Sequence, residues 1–393
     1  MIIKPRIRGF ICTTAHPKGC AAHVDSQIAT VQSRGALAGA PKRVLVIGAS
    51  GGYGLASRVV TAFGGGAATL GVSFEKAPED TRTATAGWYN NHAFERRAKA
   101  AGLYAKTFDG DAFSDAMKTK VVGAIKADFG QIDLMVYSLA SPVRQDPKSG
   151  VLHRSVIKPI GGVHHVKTLN LDRGVVHEVD LEPATPDEIK STVAVMGGED
   201  WELWIDALLS AGVLADGFRT VTYTYVGSEL TWPIYWHGTL GKAKEDLDRA
   251  AAAIRGRLGA RGDARVAALK AVVTQASSAI PVVPLYASLL FKVMKEKNVH
   301  ETVIEHIDRL FRSALYSKTP PPLDEVGRIR HDSVELSDPI QGEVKRRWPI
   351  VTTENLSELA DFDLFRADFL KIFGFGFPGV DYDEDLDPAL TAL

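Results

Sequence analysis

Cysteine is nearly missing from this chain, with two residues, Cys12 and Cys20, among 393. Two thiols cannot build a disulfide scaffold, and their scarcity suits a reducing compartment such as the cytoplasm. An excess of charge is missing as well, since 46 Lys and Arg stand against 47 Asp and Glu, a net of −1. That balance gives no general attraction for a phosphate backbone or an anionic lipid surface, so neither nucleic acid nor membrane is expected as a partner. Long hydrophobic runs are the third absence. The longest, residues 279–291, contains Pro281 and Pro284 and is too short to cross a bilayer. Lys4, Arg6 and Arg8 are followed by no long apolar stretch before Thr13 and His16, which does not read as a secretory leader. A cytoplasmic protein is expected.

Apolar residues at 45% and charged residues at 24% are ordinary for a globular protein with a sizeable core. The length allows two to three domains of ~150 residues or one elaborated domain. Residues 43–49 form a short apolar run rich in β-branched side chains and ending in glycine, the pattern of a strand buried on both faces. A helix is expected over 55–63, a strand over 67–74, an inserted helix over 86–101, a strand over 103–109, a helix over 112–129 and a strand over 131–138. This alternation argues for a doubly wound α/β fold with a parallel sheet and right-handed crossovers. Between 141 and 217 the alternation breaks, which predicts an insertion shaping a substrate site. Within it, 166–181 alternates like a surface hairpin, and Thr185-Pro186-Asp187-Glu188 is a helix start with Thr185 as cap. Strands over 219–225 and 265–273 follow, with helices over 243–258, 282–297, 301–315 and 354–373. The acidic stretch 381–387 reads as a solvated end, and 318–393 as a C-terminal extension of a single elaborated domain.

Chemistry concentrates in two places. Gly48-Ala49-Ser50-Gly51-Gly52-Tyr53-Gly54 sits between a buried strand and a helix. Glycine is needed there for a tight turn, for close approach of a pyrophosphate and for helix–strand packing, and the helix amides receive the anion. Glu75, at the end of the next strand, suits the two hydroxyls of an adenosine ribose and repels a 2′-phosphate, while Lys76 beside it would tolerate one. Asp111-Ala112 and Leu139-Ala140 follow later strands, at the crevice where a dinucleotide would lie. The second place is Tyr235, whose phenol needs a nearby cation to act as acid or base near neutrality. Lys244 would lie on the opposite face of one unbroken helix, but Gly238 and Gly241 are expected to break that helix and let Tyr235 turn back. Lys242, two turns on from Tyr235, is the competitor. Tyr225, at a strand end, is a further hydroxyl in reach.

Together with the opening Ile2-Ile3-Lys4-Pro5-Arg6-Ile7-Arg8-Gly9-Phe10 and the stretch Phe373-Gly374-Phe375-Gly376-Phe377-Pro378, these segments resemble the FabV-type trans-2-enoyl-ACP/CoA reductases essentially end to end. The resemblance implies a short-chain-dehydrogenase-like Rossmann fold and NADH-dependent reduction of an enoyl thioester of acyl carrier protein or CoA, the last step of fatty-acid elongation. It places the catalytic pair on Tyr235 and Lys244. It places cofactor contacts on Gly48, Ala49, Ser50, Gly51, Gly52, Tyr53, Phe74, Glu75, Asp111, Ala112, Leu139, Ala140, Lys244, Val273, Thr274 and Gln275, and a substrate contact on Tyr225. Lys244 is expected to orient the nicotinamide ribose and to hold down the pKa of Tyr235. The long insertions would cover the helix faces that related enzymes use to assemble, so a monomer is expected. The rival readings are a ketoreductase with the same cofactor and tyrosine, and a dinucleotide sensor without turnover. Cys12, His16, Cys20 and His23 are spaced more loosely than zinc-finger ligands; Pro17 and Gly19 suggest a loop, and no metal is expected.

Overall fold

The computed structural model describes residues 1–80 and 82–389. Its centre is a parallel sheet of seven strands: β1 (Arg43–Ile47), β2 (Ala68–Ser73), β3 (Ala105–Asp109), β4 (Ile132–Tyr137), β5 (Leu214–Thr224), β6 (Gly262–Ala268) and β7 (Ile329–Arg330). They lie in the order β7-β6-β5-β4-β1-β2-β3. The chain starts in the middle, winds outward through β2 and β3, then returns to the other side of β1 at β4, where Ile47 faces Tyr137. That reversal opens a crevice at the carboxyl ends of β1 and β4, the place where ligands bind in open α/β sheets.

The helices are α1 (Pro17–Ser33), α2 (Gly52–Val59), α3 (Ala86–Ala100), α4 (Asp115–Asp128), α5 (Pro186–Met196), α6 (Glu199–Ser210), α7 (Thr239–Leu258), α8 (Val283–Glu296), α9 (Val303–Leu310), α10 (Asp338–Arg347) and α11 (Phe362–Ile372). Those from α1 to α3, with α9, cover one face of the sheet around Val24, Leu55, Phe94 and Ile307. The other face is covered by α4, α6 and α7 around Val121, Trp201, Trp204 and Ile254. Both indoles are fully buried and keep their N–H satisfied, Trp201 on Thr220 Oγ1 at 2.9 Å and Trp204 on the Ala112 carbonyl at 3.1 Å. An indole packed that deeply is worth roughly 3–5 kcal/mol against truncation to alanine. A third apolar cluster, built from α8, α10, α11 and the hairpin His164–Asn170/Val175–Leu181, extends the fold beyond the sheet and includes Tyr235 and Tyr286. Among the described residues no helix is long and apolar enough to cross a membrane.

Several expectations are corrected here. The segment around Cys12–His23 is no loop beyond His16. His16 caps α1 by accepting from the Gly19 amide, and Pro17 occupies the first turn, where its missing N–H does no harm. Gly19 is there for closeness: a methyl on it would stand 1.6 Å from the Gly374 carbonyl oxygen. Cys20 is fully buried and His23 bonds Gln27, and among the described residues no group of three or more His, Cys, Asp or Glu is placed to hold a metal ion. Helix α3 is the ordinary crossover between β2 and β3 and not an insertion. Similarly α6, hidden in the stretch 141–217, restores the alternation before β5, which begins at Leu214. The expected helix over 354–373 is two pieces, parted where Ala360 is extended and Asp361 caps α11 by accepting from the Leu364 amide. The acidic stretch is not simply solvated. Lys4 pairs with Asp383 at 2.6 Å, Lys18 with Glu384 at 2.5 Å, and the amino group of Met1 with Asp385.

Candidate active site

The glycine turn follows directly from β1. Gly48 has φ +81, and a Cβ there would lie 2.1 Å from the Ser138 carbonyl oxygen at the end of β4. A Cβ on Gly54 would lie 1.9 Å from the Gly48 carbonyl oxygen, so the first turn of α2 is pressed onto the turn itself. Between them Gly51 is exposed with open space around it, and no side chain caps the first amides of α2. Uncapped amides at a helix start, lined by glycine, are an anion seat.

The neighbouring strand ends close in on this seat. Ser50 Oγ donates to Glu75 Oε1 at 2.5 Å, Thr85 Oγ1 donates to Oε2, and the Glu75 amide donates to Asp109 Oδ1 at 2.7 Å. Burial raises the Glu75 pKa against the pull of those two hydroxyls. Helix α3 lies against the same spot. Asn90 Nδ2 donates to the Ser50 carbonyl at 2.9 Å, a methyl on Gly87 would meet Glu75 Oε1 at 2.1 Å, and Trp88 packs its ring on His92 at 3.9 Å. Phe74 stands 77% exposed beside Glu75. Ala112 is fixed by a buried network: Lys118 Nζ reaches the carbonyls of Ala112 and Phe113 and Asp200 Oδ1 (2.7 Å), while the Tyr137 hydroxyl donates to Asp200 Oδ2 (3.0 Å). Asp111 Oδ1 accepts from the Phe113 amide. Leu139 follows Ser138 at the floor of the turn, with Ala140 exposed next to it. Residues 273–275 come to the turn from β6, because a methyl on Gly52 would touch Thr274 Cγ2 at 3.5 Å.

The tyrosines form the far wall. Tyr53, inside the turn, donates to the Lys270 carbonyl at 3.1 Å and packs edge-on to Tyr223, ring centres 5.6 Å apart. Tyr225, half-buried two residues on, meets Tyr235 edge-to-face at 5.0 Å and 87°. Tyr235 lies in a turn, its amide bonded to the Thr231 carbonyl and its own carbonyl accepting from Gly238 and Gly241. Helix α7 begins at Thr239 and runs through Gly241 unbroken, so only Gly238 ends the preceding turn. Gly241 is needed because a side chain there would strike the Trp236 carbonyl at 1.8 Å. Lys244 Nζ donates to the Tyr223 carbonyl at 3.5 Å, whereas Lys242 is exposed and paired with Glu245 at 2.8 Å. Burial pushes the Tyr235 phenol above the ordinary tyrosine value, opposed only by the Tyr225 backbone, and Lys244 is not among the groups acting on it. The expectation that Lys244 holds this pKa down is therefore corrected, and Tyr235 stays protonated at neutral pH.

All the residues named from the sequence thus lie along one edge of the sheet. The sequence reading missed Lys270, Glu335, Tyr286 and Gln341 just behind it. Lys270 left a signal, one cation inside the apolar run 266–273, and it is buried at 1% exposure with Nζ on the Ala271 carbonyl. Glu335, in Asp-Ser-Val-Glu-Leu-Ser-Asp, left none.

Three family models cover the chain: the NAD(P)H binding domain of trans-2-enoyl-CoA reductase over residues 2–80, the trans-2-enoyl-CoA reductase catalytic region over 82–316, and an enoyl reductase FAD binding domain over 323–386. The last stretch does not fit a flavin. Phe365, Phe369, Phe373 and Phe375 fill its interior, and no glycine turn there joins a strand to a helix. The chain is 59% identical to the enoyl-[acyl-carrier-protein] reductase [NADH] FabV of Aeromonas salmonicida, over 99% of this chain and 98% of that protein. It is 56% identical to the enoyl-[acyl-carrier-protein] reductase [NADH] of Opitutus terrae over the full length of both. The trans-2-enoyl-CoA reductase of Clostridium acetobutulicum, solved with NADH, superposes with a TM-score of 0.96 at 44% identity, covering 99% of this chain and 98% of that one. That of Treponema denticola, solved with NAD, gives 0.95 at 48% identity, covering 98% of both. Matched over nearly its whole length by these family models, relatives and structures, the chain belongs to the trans-2-enoyl-CoA reductase family.

Proposed function

We propose that the crevice reduces the C2=C3 double bond of trans-2-enoyl thioesters, presented on acyl carrier protein or CoA, with NADH as reductant. The observation that carries this is the row of tyrosines beside the anion-binding turn: Tyr53 inside the turn packs on Tyr223 at the end of β5, and Tyr225, two residues further along the same strand end, packs on Tyr235. Residues 48–53 would hold the pyrophosphate, Glu75 the adenosine ribose, and Phe74, Asp111 and Ala112 the adenine side. Leu139, Ala140 and residues 273–275 would close the other half, with Lys244 on its ribose. When bound, NADH would supply a hydride to C3 of the acyl chain and become NAD⁺. Negative charge would then gather on the thioester oxygen, where the protonated Tyr235 hydroxyl, in a dry site, is the preorganised donor that stabilises it until C2 takes up a proton and completes the reduction. Tyr225 would touch the acyl group. On this reading residues 141–217 shape the acyl site and the C-terminal extension, described from 318 to 389, backs the tyrosine wall of one elaborated domain, a monomer working in the cytoplasm. Purified protein should consume NADH with crotonyl-ACP and crotonyl-CoA. Consumption only with a β-keto thioester, or with neither substrate, overturns the reading.

Glu75→Gln tests the ribose contact. Removing the carboxylate charge should lower the preference for NADH over NADPH, as a ratio of kcat/KM, by about tenfold, or ~1.4 kcal/mol. An unchanged ratio would count against the assignment.

A pH prediction follows from Lys244, whose pKa burial lowers to about 8, with Asp248 opposing. The cation, the form that binds a ribose hydroxyl, prevails below that pH and is lost as pH rises through it. The kcat/KM for NADH should fall about tenfold per unit above this pKa, since that ratio reports groups of the free enzyme. Lys270 titrates near the same value, also through burial. Lys244→Arg, charged throughout, assigns the limb: it should flatten it, and an unmoved limb would remove Lys244 from the role.

A further inference from the structure

Behind the tyrosine wall lies a carboxylate that the reaction as described leaves unused. Glu335 is 0% exposed. Its Oε1 accepts from the hydroxyls of Tyr225 at 2.9 Å and Tyr286 at 2.8 Å, and its Oε2 from the Ala271 amide at 2.5 Å. Gln341 Nε2 braces the arrangement by donating to the Tyr286 hydroxyl at 2.9 Å and to the Glu335 carbonyl at 2.7 Å. A carboxyl group is costly to bury, and apolar packing alone would serve stability as well or better. Its one distinctive effect in this place is on Tyr225: the phenolic proton is committed away from the crevice while the ring stands perpendicular to Tyr235.

We infer that Glu335 is a positioning residue for the reduction, locking the Tyr225 hydroxyl so that its ring orients Tyr235 and leaves Tyr235 as the phenol of the pair that donates to the thioester oxygen. Glu335 reaches this position from the C-terminal extension, anchored through Ala271 to the segment that leaves β6. The inference rests on the function proposed above. In the variant Glu335→Gln the Ala271 amide, which can only donate, keeps the remaining carbonyl oxygen, so the new Nε2 turns to the tyrosine hydroxyls, which then accept from it, and the Tyr225 proton is released toward the crevice.

The test is a double-mutant cycle on the full chain, run with crotonyl-CoA and NADH. Wild-type turnover checks the proposed function separately, so a failure there is distinguishable from a failure here. Glu335→Gln should lower kcat about 10- to 100-fold, the size of a lost hydrogen bond to a charged group, while the Kd for NADH moves less than about threefold. Added to Tyr225→Phe, it should lower kcat no further, because its effect passes through a hydroxyl already gone. Glu335→Asp keeps the charge but withdraws it by one methylene, so it too should lose turnover, and it carries the same cycle if the glutamine variant does not fold. Wild-type kcat in Glu335→Gln, full rescue by aspartate, or additive losses on the Tyr225→Phe background would each overturn the inference.

Discussion

Tyr235→Phe should bind NADH as the wild type does and turn over about 10²- to 10⁴-fold more slowly, the range for loss of a positioned proton donor. The change deletes a single oxygen. The ring that packs against Tyr225 remains, so the neighbouring residues keep their places. Stability should change by no more than about 1 kcal/mol. The effect is large because burial keeps the proton on this phenol and excludes water that could replace it as a donor. Steady-state NADH consumption with crotonyl-CoA, beside a fluorescence titration of NADH, reads both halves. Turnover within about threefold of wild type would remove Tyr235 from the chemistry, because a donor contribution is never that small.

Gly48→Ala should abolish cofactor binding and destabilise the fold by about 3 kcal/mol. At φ +81 an L side chain is strained before any contact is considered, and its Cβ would then stand 2.1 Å from the Ser138 carbonyl oxygen. Either β1 and β4 part at the crevice or the turn refolds, and each moves the amides of α2. Gly51→Ala separates structure from recognition. Its backbone is extended at φ −159 and the space around it is open, so the fold should be unaffected while NADH binds more weakly against the added methyl. Thermal unfolding and NADH titration of the two variants check the contrast. Normal NADH affinity in Gly48→Ala would show that the anion seat lies elsewhere.

What the sequence disclosed follows from how local each signal is. The turn after β1 was legible because strand, glycine spacing and helix are contiguous, and the strand ends gather by topology once the sheet is parallel. The hairpin over 164–181 and the Thr185 cap were legible for the same reason, each written in a few adjacent residues. The crossover α6 was not, because Trp201, Trp204 and Leu208 face the core while the acidic residues of its first turn blur the apolar period. Gly19 and Gly241 look like chain-breakers in the sequence, yet each sits in a helix and is small because backbone lies against it, the distant Gly374 carbonyl for Gly19 and the Trp236 carbonyl of the preceding turn for Gly241. Only the three-dimensional contact distinguishes those two uses of glycine. The partnership of Glu335 with Tyr225 joins residues far apart in the chain, and a carboxylate among other acids carries no mark of being buried. Lys244 bonds the Tyr223 carbonyl, and the expectation that it lowers the Tyr235 pKa overlooked burial, which a sequence does not reveal and which raises that pKa.

The position of Trp88 gives the molecule an optical reporter of its own. Of six tryptophans, Trp201 and Trp204 are sealed under the opposite face of the sheet, whereas Trp88 is half-buried on α3 between Gly87, which touches Glu75, and Asn90, which holds the Ser50 carbonyl. With the adenosine on Glu75 as proposed, this indole would pass excitation to a reduced nicotinamide in the same crevice, and NADH occupancy should be readable as quenched tryptophan emission without any attached dye.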